Sequence, residues 1–332
     1  MSPLFWYNKN KRILPCLLQP LCALYQWGMR KQAKRIVPTK LQVPLICVGN
    51  LTVGGSGKTP TVHALVRTLE SIFSPIIVLS KGYKGDITTP SRVDLHRHTA
   101  STVGDEPLLH AALTQTWIGR DRAKVALAAQ AALKDRASHS PLFIMDDGYQ
   151  NPSLAPDFRL LVVDGPMGFG NESLLPAGPL REPILKGLAR ADAILVIDTP
   201  NALLKKTLTA TPHLNIFYTK KTLSLPPNFP KKVIAFAGIA HPHRFFESLK
   251  EKGIVLQEAL PLPDHHRFTE KDLGRLKNKS HKCGLPLVTT QKDFVRLPRK
   301  MKKEVLYLPL SLTLPSKLVT LICQTKGLFH EV

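Results

Sequence analysis

The chain has 332 residues, 43% of them hydrophobic, which is enough for ordinary globular cores and about two domains. Its formal net charge of +22 favours an anionic partner: nucleic acid, an anionic membrane or a phosphorylated substrate. Five scattered cysteines show neither a C-x-x-C pair nor a zinc-site spacing, so the sequence excludes a disulfide framework and indicates reduced cytosolic thiols.

The first forty residues are basic and contain an apolar run at 13–27, bracketed by Trp6 and Trp27. No carboxylate occurs before Glu70. The basic residues are Lys9, Lys11, Arg12, Arg30, Lys31, Lys34, Arg35 and Lys40. The run is shorter than the ~20 residues of a spanning helix. We therefore predict that residues 1–40 form a helical segment in a membrane interface, with basic flanks on anionic lipid. A helix packed on the domain is the open alternative. A signal peptide is disfavoured because no small-residue cleavage site follows.

A glycine-rich loop follows a predicted buried strand at 45–48 and precedes a predicted helix at 61–70. The loop reads Thr52, Val53, Gly54, Gly55, Ser56, Gly57, Lys58 and Thr59. Its backbone N–H groups can surround phosphate oxygens at the positive end of the helix dipole. Lys58 would reach the terminal phosphates and Thr59 would bind Mg²⁺. Thr52 stands where the general P-loop pattern has glycine. The context predicts nucleoside triphosphate binding and disfavours a plain glycine-rich turn.

Apolar runs alternate with helical patterns along most of the chain, which predicts a parallel sheet covered on both faces. Residues 41–222 are predicted to form a doubly wound α/β domain of the P-loop NTPase type. A proline-rich stretch at 223–230 indicates a linker, and a second, shorter alternation follows it. Residues 223–332 are predicted to form a smaller α/β domain.

Two acidic pairs are candidates for chemistry. Asp146 and Asp147 follow the apolar run at 142–145, where the metal carboxylate of a P-loop enzyme belongs. Asp105 and Glu106 stand at a predicted loop-to-helix junction. The local pattern favours Asp105 as a helix cap. The alternative is a catalytic role, because a kinase that acts on a hydroxyl needs a carboxylate or histidine to accept the proton.

Three further segments carry weaker signals. His265 and His266 adjoin Asp264, in a pattern that fits a surface loop or a histidine that orients a carboxylate and disfavours zinc. A long Gly/Pro-rich loop covers 168–183, and loops of this kind are usually functional. Arg120 and Arg122 lie at a strand-to-helix turn suited to phosphate contacts, or simply to solvent.

Taken in order, these segments resemble the tetraacyldisaccharide 4′-kinase family of lipid A biosynthesis. The matching stretches are 48–60, 80–83, 104–107, 119–122, 146–150, 168–183 and 264–265. Thr52 matches the family's own loop, whereas Lys81 stands where arginine is more usual and Gln291 where the family has glutamate. Lys81 would weaken a bidentate phosphate contact, and a nucleotide role for 291–293 is in doubt.

The resemblance implies transfer of phosphate from MgATP to the 4′-hydroxyl of a lipid A disaccharide precursor at the cytoplasmic face of a Gram-negative-type inner membrane. It implies catalytic roles for Asp105 as base, His265 as its partner and Lys58. It implies that residues 52–59 and Gln150 bind the nucleotide. It implies that the metal is bound by Thr59, Asp146, Asp147 and Glu106. It implies that the lipid headgroup is bound by Tyr83, Arg120, Asn171 and Arg181.

Three other classes of protein fit the sequence less well. A membrane-associated switch ATPase would carry a second lysine early in its loop, where this chain has Val53. A GTPase would carry Asn-Lys-x-Asp, but Lys292 and Asp293 are adjacent. A nucleic-acid role is not supported, because no binding module is present and aromatic residues make up only 7% of the chain. The sequence points to no protein partner.

Overall fold

Two β-sheets organise the chain, which a computed structural model describes over residues 3–7, 13–33, 36–133 and 140–325. The larger sheet has the order β3-β4-β2-β5-β1-β6-β7-β8 and is parallel except where β3 pairs with β4. Its strands are β1 (Leu45–Gly49), β2 (Ile76–Ser80), β3 (Ser91–Arg92), β4 (Gln115–Ile118), β5 (Leu142–Asp146), β6 (Phe158–Asp164), β7 (Ala193–Ile197) and β8 (Asn215–Thr219).

Within the described ranges, two helices precede this sheet in the chain, and six more alternate with its strands and cover its two faces. They are α1 (Ile13–Leu17), α2 (Gln19–Ala33), α3 (Lys58–Leu69), α4 (Ala100–Val103), α5 (Asp105–Ala111), α6 (Arg122–Ala131), α7 (Ile184–Leu188) and α8 (Ala202–Thr209). Every residue of β1, β2, β5 and β7 is buried, as a parallel sheet between helical layers requires. The doubly wound α/β prediction is confirmed.

The smaller sheet is parallel throughout, with the order β11-β10-β12-β13. Its strands are β10 (Lys232–Ala237), β11 (Val255–Pro261), β12 (Leu287–Thr290) and β13 (Val305–Leu308). Its helices are α9 (Pro242–Glu251), α10 (Glu270–Cys283), α11 (Gln291–Phe294) and α12 (Arg299–Lys302). We call residues 232–308 the small unit, and the larger sheet with its helices the P-loop unit.

Two short antiparallel strands connect the units, β9 (Lys221–Leu223) and β14 (Leu310–Leu312). After β14 the chain returns to the P-loop unit as helix α13 (Ser316–Gln324). Leu318 and Ile322 of this helix are buried in the same core as residues of α3. The predicted domain 223–332 is therefore divided between two cores, because the amphipathic C-terminal helix covers the face of the large sheet.

The N-terminal segment is helical and has one packed and one open side. The Trp6 indole donates a hydrogen bond to the Pro176 carbonyl at 3.1 Å, and the Cys22 thiol donates to the Leu174 carbonyl at 3.2 Å. The exposed apolar side chains are Ile13, Leu14, Leu17, Leu21, Leu24 and Trp27. Of the two tryptophans that bracket the apolar run, Trp6 is buried against the Gly/Pro-rich loop and cannot serve as an interfacial ring, whereas Trp27 is exposed.

Part of the basic flank lies outside the described residues: Lys9, Lys11, Arg12, Lys34, Arg35 and the side chain of Arg30. Lys31 is described, and its ammonium lies 5.0 Å from the centre of the Trp27 ring. Within the described ranges, no helix has the length and apolarity needed to cross a bilayer.

Candidate active site

The glycine-rich loop joins β1 to α3, as predicted, and places Lys58 in the first turn of the helix. Gly57 precedes it with a φ of 90°, a left-handed conformation that glycine adopts without strain. The Lys58 ammonium donates a hydrogen bond to Asn50 Oδ1 at 3.0 Å, and the Asn50 amide donates to the Thr52 carbonyl at 2.7 Å. Asn50 thus links both ends of the loop. Ser56 Oγ is buried and has no hydrogen-bond partner in the described part of the chain, as expected of a hydroxyl that binds a phosphate oxygen when the nucleotide is present.

Asp146 ends β5 beside this loop and is almost fully buried. His110 Nε2 on α5 lies 2.9 Å from Asp146 Oδ2, and the Arg122 guanidinium donates to the Asp146 carbonyl at 2.9 Å. Burial raises the pKa of Asp146, but the hydrogen bond and charge of His110 lower it by more than burial raises it. The pKa is therefore below its usual value and the carboxyl is ionised. Its Oδ1 is buried without a partner among the described residues.

That free oxygen fits a hard cation. Mg²⁺ is usually held by one or two carboxylates together with water and substrate phosphates. Asp146 supplies such a carboxylate oxygen, and Thr59 follows Lys58 on the first turn of α3. The residues present therefore suit the metal that the sequence predicts.

Asp147 forms a second ionic group on the nucleotide side. Its Oδ1 accepts a hydrogen bond from Arg181 Nη1 at 2.8 Å and lies 3.5 Å from the Lys58 ammonium. Burial raises the pKa of Asp147, but the charges of Lys58 and Arg181 hold it well below its usual range. Gln150 donates to the Asn50 carbonyl at 2.9 Å, which ties it to the loop. Arg181, expected at the lipid headgroup, thus lies beside the P-loop lysine.

Asp105 begins α5 immediately after Gly104, whose φ is 86°. A side chain at 104 would lie 2.6 Å from the Tyr83 carbonyl, so glycine permits this close turn. Gly104 is the N-cap and no side chain caps the helix, so the cap interpretation of Asp105 does not hold. Instead, the buried Asp105 Oδ2 lies 3.1 Å from His265 Nδ1 of the small unit. His266 pairs with Asp272, at 3.0 Å, so His265 is the histidine that faces Asp105.

Two cations of the small unit also face this carboxylate. Arg296 donates from Nε to Asp105 Oδ2 at 3.0 Å, and Lys292 lies 3.9 Å from the same oxygen. Burial raises the pKa of Asp105, but the His265 hydrogen bond and the charges of Lys292 and Arg296 lower it well below its usual range. Glu106 Oε1 lies 3.2 Å from the Lys292 ammonium. A metal role for Glu106 therefore stays a prediction.

The predicted headgroup residues are in different settings. Tyr83 is 57% exposed and its ring lies edge-on to His265, with centroids 5.8 Å apart. The Arg120 side chain is exposed, just beyond β4. Asn171 binds within the Gly/Pro-rich loop, donating to the Ala177 carbonyl at 2.9 Å, so it holds that loop together. Contacts of these residues with a lipid stay predictions.

Sequence reasoning missed three residues that the structure brings into the site. His110 contacts Asp146, which ends β5. His110 lies on the same short helix as Asp105, and this placement is a signal from which the contact could have been predicted. Asn50 lies within the family motif but was given no role. Arg296 is 191 positions from Asp105, and no local pattern connects the two.

The glycine-rich loop, its Lys58 and the carboxylates of Asp146 and Asp147 are the parts with which phosphoryl-transfer enzymes bind a nucleoside triphosphate and its metal. The fold and site thus define a P-loop phosphotransferase. The family profile described as tetraacyldisaccharide-1-P 4′-kinase matches residues 14–326, and the chain belongs to that family. It is a lipid kinase that uses ATP with Mg²⁺.

Individual relatives agree over most of their length. The tetraacyldisaccharide 4′-kinase of Dinoroseobacter shibae is 43% identical over 303 residues, 90% of this chain and 88% of that protein. The Hyphomonas neptunium kinase of the same name is 40% identical over 93% of this chain and 92% of its own. The crystal structure of LpxK from Aquifex aeolicus in complex with ATP has a TM-score of 0.71 and 29% identity, covering 96% of this chain and 100% of that one.

Proposed function

We propose that the chain transfers the γ-phosphoryl group of ATP to the 4′-hydroxyl of a tetraacyldisaccharide 1-phosphate, with Asp105 as base and His265 as its partner. The observation that carries this proposal is the Asp105 carboxylate, which is buried, ionised and 3.1 Å from His265. The family membership supplies the acceptor class.

In this mechanism the loop amides and Lys58 bind the β- and γ-phosphates, and Asn50 holds Lys58 at the loop. The 4′-hydroxyl oxygen attacks the γ-phosphorus, the bond from that phosphorus to the bridging oxygen breaks, and ADP leaves. Asp105 accepts the hydroxyl proton. His265 orients the carboxylate from the opposite unit. Thr59 and Asp146 would hold Mg²⁺, which when bound neutralises charge on the phosphates.

An acceptor-specific kinase assay tests the reaction. The purified chain is given γ-labelled ATP, Mg²⁺ and tetraacyldisaccharide 1-phosphate, and label is expected in the lipid. The matched control acceptor already carries a 4′-phosphate and is expected to take no label. Label in that control, or acceptor-independent ATP hydrolysis without labelled lipid, would contradict the proposal. The second outcome would favour the switch ATPase.

We further propose that α1 and α2 lie on the cytoplasmic face of the inner membrane. Leu17, Leu21 and Leu24 recur at helical spacing on the exposed side, opposite the buried Cys22. Lys31 extends the same segment with a positive charge, which favours anionic lipid. Burial of the leucines in the interface and attraction of the basic flank act together.

Replacing Leu17, Leu21 and Leu24 by serine is expected to reduce binding to anionic phosphatidylglycerol vesicles by at least about tenfold, because each buried leucine contributes about 1.5–3 kcal/mol. Point variants are preferable to truncation, since Trp6 packs on the Gly/Pro-rich loop. Vesicle flotation measures the effect. Leu127→Ser, at an exposed leucine of α6, is the matched control and is expected to float like the wild type. Flotation of the triple variant at the wild-type level would overturn the proposal.

A further inference from the structure

Arg296 is a buried cation that crosses from the small unit to the P-loop unit. It lies between α11 and α12, and its side chain is 6% exposed. Both Nε, at 3.0 Å, and Nη2 donate hydrogen bonds to Oδ2 of Asp105. Two donors from one rigid, planar guanidinium fix the position of that oxygen more closely than a single freely rotating ammonium would.

The far side of the same guanidinium is held just as firmly. Arg296 Nη1 donates to the Gly238 carbonyl at 2.8 Å and to Asp293 Oδ1 at 2.9 Å. Asp293 is fully buried, and it also accepts hydrogen bonds from the Gly238 N–H at 3.0 Å and from the Thr290 hydroxyl at 2.7 Å. The guanidinium is therefore fixed to the end of the small sheet before it meets Asp105.

His265 shares this support. Its backbone N–H donates to the Gly238 carbonyl at 3.0 Å, the same oxygen that accepts from Arg296. The small unit thus presents the imidazole and the guanidinium to Asp105 as one connected group. Among the described residues, every side-chain hydrogen bond and ion pair found for Asp105 is made by Oδ2. The other oxygen, Oδ1, has no such contact with the described residues and is therefore available to the hydroxyl group of the acceptor substrate.

We propose that Arg296 is a positioning residue for phosphate transfer: supported by Asp293 and Gly238, it fixes Oδ2 of Asp105 so that Oδ1 accepts the proton of the acceptor hydroxyl. This inference rests on the proposed function, because it requires Asp105 to be the base. It also gives the Thr290–Arg296 segment a role in acceptor activation rather than in nucleotide binding.

Arg299 offers a matched comparison. It lies three residues further on, and its guanidinium donates to the His96 carbonyl at 2.7 Å, so it also joins the small unit to the P-loop unit. Within the described part of the chain, Arg299 forms no hydrogen bond or ion pair with Asp105. An effect that came only from holding the two units together would appear in variants of both arginines.

Kinetics of Arg296→Met test the proposal. We expect kcat to fall about 10- to 100-fold, the cost of misplacing a catalytic group by about 1 Å, with KM for ATP nearly unchanged. Loss of the guanidinium also removes one of the groups that lower the pKa of Asp105, leaving His265 and Lys292, with Glu106 adjacent. The acidic limb of the kcat–pH profile is therefore expected to move to higher pH.

Two other variants keep the test decisive. Arg296→Lys retains the charge without the planar fork, and we expect it to restore the pH limb but only part of kcat. Arg299→Met is expected to match the wild type in both measurements. Wild-type kcat and pH limb in Arg296→Met, or equal losses in Arg296→Met and Arg299→Met, would overturn the proposal. Circular dichroism of each variant checks the fold.

Asp105→Asn separates this inference from the proposed function. If Asp105→Asn retains wild-type kcat, Asp105 is not the base and the proposed mechanism fails. If Asp105→Asn is inactive and Arg296→Met behaves as the wild type, only the positioning role fails. We expect Arg296→Met to add no further loss in the Asp105→Asn background, because both changes act on one group.

Discussion

Replacing Lys58 by methionine is expected to lower kcat by about 10²–10³-fold, the cost of removing one preorganised charge or donor from a transition state. The ammonium lies in the first turn of α3, 3.0 Å from Asn50 Oδ1, and the nearby Asp147 carboxylate keeps it in the loop. Methionine keeps the length and apolar stem of the side chain. Steady-state transfer of labelled phosphate to the lipid acceptor measures the loss.

Lys124→Met is the matched control for this change. Lys124 also stands in the first turn of a helix that follows a parallel strand, but it is exposed, and we expect wild-type kcat. A Lys58→Met enzyme that transfers phosphate at the wild-type rate would show that the loop lysine does not act on the transferred group.

Asp105→Asn is expected to lower kcat by about 10²–10⁴-fold, the usual contribution of a general base. Asparagine has nearly the same shape and can still accept hydrogen bonds from Arg296 and His265, but it cannot take the hydroxyl proton. Phosphate transfer to the lipid and ATP affinity are measured separately, and ATP affinity should change little. Wild-type turnover in this variant would remove Asp105 as the base.

The control for Asp105 is another Asp–His pair in the same unit as His265. Asp272 lies 3.0 Å from His266 Nε2 and caps α10. Asp272→Asn is expected to lower the stability of the small unit slightly and to leave kcat unchanged. The comparison distinguishes loss of any Asp–His pair from loss of the one that faces the P-loop unit.

The depressed pKa of Asp105 also sets a dependence of stability on pH. Because the folded-state pKa lies below the ordinary value of 3.8, the ionised carboxylate stabilises the fold above about pH 4. That stabilisation is lost as pH falls toward the folded-state pKa. In Asp105→Asn, thermal unfolding is therefore expected to depend less on pH in the range below about 4.

Local patterns were sufficient for the nucleotide half of the site. Strand β1, the glycine-rich loop and α3 are consecutive in sequence, so their order alone predicts where Lys58 and Thr59 lie. The strand ending at Asp146 is equally local. Short or partly exposed strands are harder to predict. The strand-to-helix turn at Arg120 indicates that a strand precedes it but does not give the bounds of β4, and β8 is not predicted because it is not a fully buried apolar run.

The acceptor half depends on contacts between distant residues. Local pattern favoured Asp105 as a helix cap, whereas in the structure Gly104 occupies that position and the carboxylate meets His265 and Arg296. These partners are contributed by a second sheet. Their approach depends on how β9 and β14 join the two units, and no periodicity or spacing encodes it.

The sequence by itself determined that a triphosphate-binding loop precedes a helix, that a parallel α/β fold surrounds it, and, through its ordered motifs, which family the chain belongs to. Only the tertiary structure decided which histidine faces Asp105, that Arg181 lies beside Lys58, and that α13 returns to the large core. The physical reason is range: loop and strand signals arise from neighbouring residues, whereas the ionisation and orientation of Asp105 arise from charges contributed by residues more than 150 positions away.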